Sequence, residues 1–161
     1  MIALAEGLIA GLAIEQFEDA LEAVAALAFF IPVTMDMGGK VGTQSSTIFT
    51  RALIFGHINF RRFTKQWFRE ILIGFTMGLL AAAVAGAVVF FWQEDIRLMW
   101  TVSLACGATI TIASAVGFLV PALLSRLGFD QAAGSDPFIT TIKDITGLII
   151  YFYLAMWIMR L

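Results

Sequence analysis

The sequence predicts an all-α integral membrane protein with five transmembrane helices per subunit, and three observations carry that expectation. Of 161 residues, 60% are hydrophobic and 14% charged, and the mean hydropathy is +0.91. A soluble domain runs about 45–50% apolar and about 25% charged. Three stretches, 70–92, 98–124 and 137–159, are each long and apolar enough to cross a hydrocarbon layer roughly 30 Å thick. Charges mark their ends: Arg69 and Glu94–Asp95, then Arg97 and Arg126, then Asp136–Pro137 and Arg160. The net charge of −2 leaves no basic excess for a nucleic-acid partner. The single cysteine, Cys106, cannot form an internal disulfide. No Ser–His, Cys–His or zinc-ligand constellation is present, so the chain is not expected to be an enzyme.

Taken in order, the first span is expected over about 1–18. It is apolar apart from Glu6 and runs into the acidic residues Glu15, Glu18, Asp19 and Glu22. With no basic n-region and no small-residue cleavage site, it does not read as a signal peptide. The second span is expected over about 21–54, interrupted at Gly38-Gly39. In lipid, irregular backbone survives only where protein or a water-filled cavity covers it, and freed carbonyls there can face an ion. The alternative is a kink packed on a neighbouring helix, or an interfacial turn. Thr43, Gln44, Ser45, Ser46 and Thr47 follow the glycines and are costly to bury unpartnered. Their hydroxyls can also satisfy carbonyls of their own helix. The third span carries Gly74 and Gly78, a small-xxx-small pair suited to close helix contact. The fifth is expected to begin at Pro137, where a missing N–H costs nothing in a first turn.

Arg51, Arg61, Arg62, Lys65 and Arg69 cluster between spans two and three, and the positive-inside rule places that segment in the cytoplasm. An odd span count then gives a multi-pass plasma-membrane protein with a cytoplasmic N-terminus and an extracellular C-terminus. Arg126 also falls inside, whereas Arg97 and Arg160 fall outside.

The fifth span holds the sharpest signal. Thr140, Thr141, Lys143 and Asp144 lie within an apolar helix, with Gly147 and Tyr151 following. An intramembrane carboxylate marks by default an ion or proton pathway; the alternative is an ion pair with Lys143 or Lys40. Neighbouring helix residues do not face each other, which makes Lys143 a poor partner for Asp144. At about 100° per residue, Asp136, Thr140, Asp144 and Gly147 fall near one face. Such an oxygen-only stripe suits a hard cation, Mg²⁺ or Ca²⁺. Asp36 and Lys40 are four apart, and a local pair is expected to account for both. His57 is expected to be solvated.

Two stretches resemble the MgtE magnesium channels and their solute-carrier relatives. The first runs from Phe29-Phe30-Ile31-Pro32-Val33 through Met37-Gly38-Gly39-Lys40-Val41-Gly42-Thr43-Gln44-Ser45, with Arg51 downstream. It is similar to the family's Pro followed by Gly-Gly-Asn-x-Gly-x-Gln. The second is Pro137-Phe138-Ile139-Thr140-Thr141-Ile142-Lys143-Asp144-Ile145-Thr146-Gly147, continuing to Phe152, and resembles the family's final helix. Asp130 matches an acidic position before that helix.

The resemblance implies a homodimer with its pore at the subunit interface, and Asp144 from both subunits holding a hydrated Mg²⁺ near the Thr140 carbonyl. With the matched Asp130 and the stripe residue Asp136 the expected metal residues are Asp144, Thr140, Asp136 and Asp130, and Asp36, Gly38, Gly39, Lys40 and Gln44 are expected to support the pore. Mg²⁺ is then the transported ion and membrane lipid the surrounding partner. The family's usual cytoplasmic sensor and CBS domains are not expected here, so residues 1–161 read as a single transmembrane domain. Three positions depart from the family pattern: Lys40 in place of Asn, Gln131 in place of Pro, and Asp136 in place of a small residue. Lys40 puts a cation beside the pore motif, which keeps two other functions open. One is a divalent-cation exchanger coupled to Na⁺ or H⁺; the other is a non-conducting membrane assembly subunit.

Overall fold

The computed structural model describes residues 2–18, 25–58, 63–129 and 131–160, with side chains at 7–12, 14–18, 25–58, 63–129 and 137–160. These residues form helices α1 (Ile2–Glu15), α2 (Ala26–Ile54), α3 (Phe63–Gln93), α4 (Ile96–Arg126) and α5 (Gln131–Met159). Of them, α3, α4 and the Pro137–Met159 part of α5 are long and apolar enough to cross a membrane.

The turns follow their sequences. Asp95 accepts from the Arg97 and Leu98 backbone N–H groups at 2.7 and 3.3 Å, capping the α4 N-terminus directly after α3 ends. Gly56 and Gly128 take φ of +69° and +79° just past α2 and α4, a conformation that costs glycine little.

Helix α4 is the centre, packed against α2, α3 and α5, while α1 lies against α5. Its side chains explain that position. Ala105, Thr109, Ala113 and Gly117 recur every four residues, as do Cys106, Ile110 and Ser114, and all are buried. Backbones therefore come close. A Cβ at Gly78 would sit 2.7 Å from the Gly107 carbonyl oxygen, so the Gly74/Gly78 pair of α3 does make the close contact its spacing predicts. Away from α4, α3 shows large apolar groups outward, Leu80 at 70% and Phe91 at 82% exposed. A face of that kind is suited to lipid rather than water.

Two expectations about helix continuity are corrected. Helix α2 runs unbroken from Ala26 to Ile54 through Gly38-Gly39, so no carbonyl is freed there. The glycines serve packing instead. A Cβ at Gly38 would meet Thr109 Cγ2 at 2.8 Å, and one at Gly42 would meet Ile139 Cγ2 at 3.1 Å. Thr43 and Thr47 return their hydroxyls to the Gly39 and Thr43 carbonyls at 3.0 and 2.9 Å, which satisfies those two hydroxyls within the helix. Helix α5 begins at Gln131 rather than Pro137, which leaves Pro137 inside the helix. The proline forfeits one backbone bond there. Its own carbonyl accepts from the Thr140 and Thr141 hydroxyls at 3.0 and 2.8 Å.

Candidate ion-binding site

The α2–α5 seam holds the Lys143–Asp144 pair. On α5, Lys143 is the inward one: its side chain is 6% exposed, against 24% for Asp144. Its ammonium donates to the Met35 carbonyl of α2 at 2.9 Å and lies 2.6 Å from Asp144 Oδ1. That oxygen is buried and outside hydrogen-bond geometry, so its contact with the ammonium is ionic. The pairing corrects the expectation that Lys143 is a poor partner. Spacing on the helix surface governs short side chains, but a lysine stem can bend along apolar surface before its charge finds a partner. Here the Met35 carbonyl fixes the ammonium, and the adjacent carboxylate meets it.

Gly39 makes room for this arrangement. A Cβ there would lie 2.9 Å from Lys143 Nζ and 3.3 Å from Cε. Gly147, one turn past Lys143, is buried against Met35 and Thr109, whose hydroxyl is buried without a partner among the described residues. Thr140 is half-buried one turn before Asp144. Asp136 lies on α5, but its side chain falls outside the described residues, and Asp130 lies outside them altogether.

Another face of α2 is open. Asp36 and Lys40 pair at 2.6 Å while 60% and 71% exposed, as their spacing predicts. Gln44, Thr47 and Arg51 continue the stripe, and with Lys40, Thr43 and Ile48 they line a shallow groove. Asp36, Gly38, Gly39, Lys40 and Gln44 are thus on one helix, but the two glycines face inward and the polar side chains outward. His57 is exposed, as expected.

A second polar locus escaped the sequence reading. Glu70 of α3 is buried, and one of its carboxylate oxygens accepts from the Ser45 hydroxyl at 2.7 Å. Ser114 of α4 donates to the Glu70 carbonyl at 3.0 Å and lies 3.2 Å from Ser45 Oγ. Glu70 opens an apolar run next to Arg69 and so looks like a boundary charge. The usable signal was the four-residue register Glu70, Gly74, Gly78, all of it on the face α3 buries.

Comparison with known proteins bears on this geometry. A family profile described as "MgtE: Divalent cation transporter" matches residues 31–154. The chain is 35% identical over 156 residues to the "Magnesium transporter MgtE" of Thermus thermophilus, covering 96% of this chain and 34% of that protein. Against the protein of the same name in Bacillus subtilis, identity is 37% over 149 residues, 92% of this chain and 33% of the relative. For that of Enterococcus faecalis it is 34% over 147 residues, 91% and 32%. The chain thus spans about a third of the length of the curated relatives it matches. The profile match contains both lysine–aspartate pairs, Asp36–Lys40 and Lys143–Asp144. The chain belongs to the MgtE family of divalent cation transporters.

Proposed function

We propose that this chain is a membrane domain that moves Mg²⁺, working as a homodimer of five-span subunits with the ion path along the two-fold axis. The observation that carries the reading is the open polar stripe Asp36, Lys40, Gln44, Thr47 and Arg51 on α2. Such a face is unfavourable against lipid and favourable along water, and charged residues at membrane depth face a bundle interior or a water-filled path. A second copy would enclose it, and closed two-fold dimers are the commonest oligomers. Basic Arg51 and Lys65 then face the cytoplasm, with the N-terminus on the same side and the C-terminus outside.

Mg²⁺ sheds water reluctantly and usually keeps several waters. In this mechanism two symmetry-related Asp144 carboxylates accept hydrogen bonds from the water shell of an ion on the axis, assisted by the Thr140 carbonyls. Asp130, before α5, and Asp136, near its start, add negative charge and raise the local cation concentration. Binding stays weak enough for release. A divalent-cation exchanger coupled to Na⁺ or H⁺ is the second reading, in which Lys40 and Asp144 alternate partners; the presence of two lysine–aspartate pairs favours it. Mg²⁺ uptake into proteoliposomes, with and without a Na⁺ gradient and with a pH gradient as a third arm, tests both. Uptake under a Mg²⁺ gradient alone supports electrodiffusion. Uptake only with a Na⁺ or H⁺ gradient supports the exchanger, and none under any condition would favour a non-conducting subunit.

A further inference from the structure

Asp144 has two sides. On the buried side stands Lys143, 6% exposed, whose ammonium reaches both the Met35 carbonyl and Asp144 Oδ1. On the other side the carboxylate keeps about a quarter of its surface open, at 24%. Gly39 preserves the pocket for the ammonium, since any Cβ there would press on Nζ and Cε. The lysine is therefore anchored from α2, independently of Asp144, and contacts the carboxylate from behind.

We propose that Lys143 is an affinity-setting residue: a tethered cation that shares the Asp144 charge with the transported ion and keeps divalent binding weak. The proposal rests on the reading of Asp144 as the ion-holding carboxylate. An ammonium 2.6 Å from a carboxylate oxygen neutralises most of its field. Two facing Asp144 side chains then do not repel when the path is empty, because each carries its own counter-charge. An arriving hydrated ion competes with an ammonium that cannot leave, only turn toward Met35. Weak retention follows, and with it fast release.

Calorimetric Mg²⁺ titration of the full chain in detergent tests this with Lys143→Gln and Asp144→Asn beside the unsubstituted protein. Glutamine keeps a donor for the Met35 carbonyl and removes the charge. Lys143→Gln should bind Mg²⁺ at least about tenfold tighter and turn over more slowly in liposomes. A merely structural lysine would leave affinity unchanged or lower it. The second readout is the ¹⁵Nζ resonance of Lys143, one of three lysines and assigned by its loss in Lys143→Gln. It should shift with Mg²⁺ and saturate at the calorimetric Kd. If Lys143→Gln fails to fold, this resonance, assigned instead by conservative replacement of Lys40 and Lys65, decides alone. Unchanged affinity in Lys143→Gln, or a resonance that ignores Mg²⁺ while Asp144→Asn abolishes binding, overturns the proposal and leaves the Asp144 site standing. Full binding by Asp144→Asn overturns both.

Discussion

Two lysine–aspartate pairs with the same 2.6 Å separation lie on α2 and α5, and they differ in burial and in sequence spacing. Asp36 and Lys40 are one turn apart on α2 and well exposed, whereas Lys143 and Asp144 are sequence neighbours on α5 and mostly covered. The first pair is local and would form on an isolated helix. The second exists because another helix supplies the Met35 carbonyl and a glycine leaves space for the ammonium. Identical contact geometry therefore carries unequal energy. An exposed pair is worth about 0–1 kcal/mol, while removing one member of a buried pair costs several times that.

The largest effect expected is from Asp144→Ala. It leaves the Lys143 ammonium buried with only a carbonyl, and should destabilise the fold by about 3 kcal/mol, read as a lowered unfolding midpoint in detergent. A loss no greater than that of Lys40→Ala would mean the two pairs are equivalent and burial is irrelevant here. Gly39→Ala comes next. Its new methyl must push the flexible end of Lys143 aside, at a cost of about 1–2 kcal/mol, and because the intruding group meets only that side chain, Lys143→Ala/Gly39→Ala should remove the penalty. A penalty that persists in the double variant would place the clash elsewhere. Lys40→Asn should change stability by less than about 1 kcal/mol, with any effect fading as salt rises. Its transport should equal or exceed that of the unsubstituted chain if the lysine only obstructs the path. Lost transport would instead give Lys40 a mechanistic part and favour the exchanger. A cysteine at Gln44, on the same stripe, should cross-link two copies in membranes, and a purely monomeric product would break the two-fold arrangement.

The same contrast explains what could be read from sequence. The i,i+4 spacing of Asp36 and Lys40 contains its own geometry, so that pair was legible. Helix α4 and the apolar body of α3 were legible too, because a continuous run bounded by charges permits little else. Lys143 and Asp144 were not, since the partner that turns the ammonium inward lies 108 residues away in sequence. Gly38-Gly39 carries the same residues whether it breaks a helix or lets another approach; Thr109 and Lys143 decide, and neither is local. Pro137 misled in a similar way, because a proline inside a helix that already runs from Gln131 looks the same in sequence as one at a first turn. Glu70 stands beside Arg69 at the start of an apolar run, and only Ser45 and Ser114, distant in sequence, mark it as buried.

The central claim is that the open side of Asp144 holds the transported ion by charge. Asparagine keeps the size of the side chain and an oxygen facing the Lys143 ammonium and removes the charge, so Asp144→Asn tests binding at a smaller cost to the fold than Asp144→Ala. Calorimetric titration of Mg²⁺ into that variant in detergent, against the unsubstituted chain, is the most direct measurement. The account predicts a folded dimer with most of its Mg²⁺ binding gone. Unchanged affinity would contradict it, and would make the α5 stripe a structural ion pair with the ion path elsewhere in the protein.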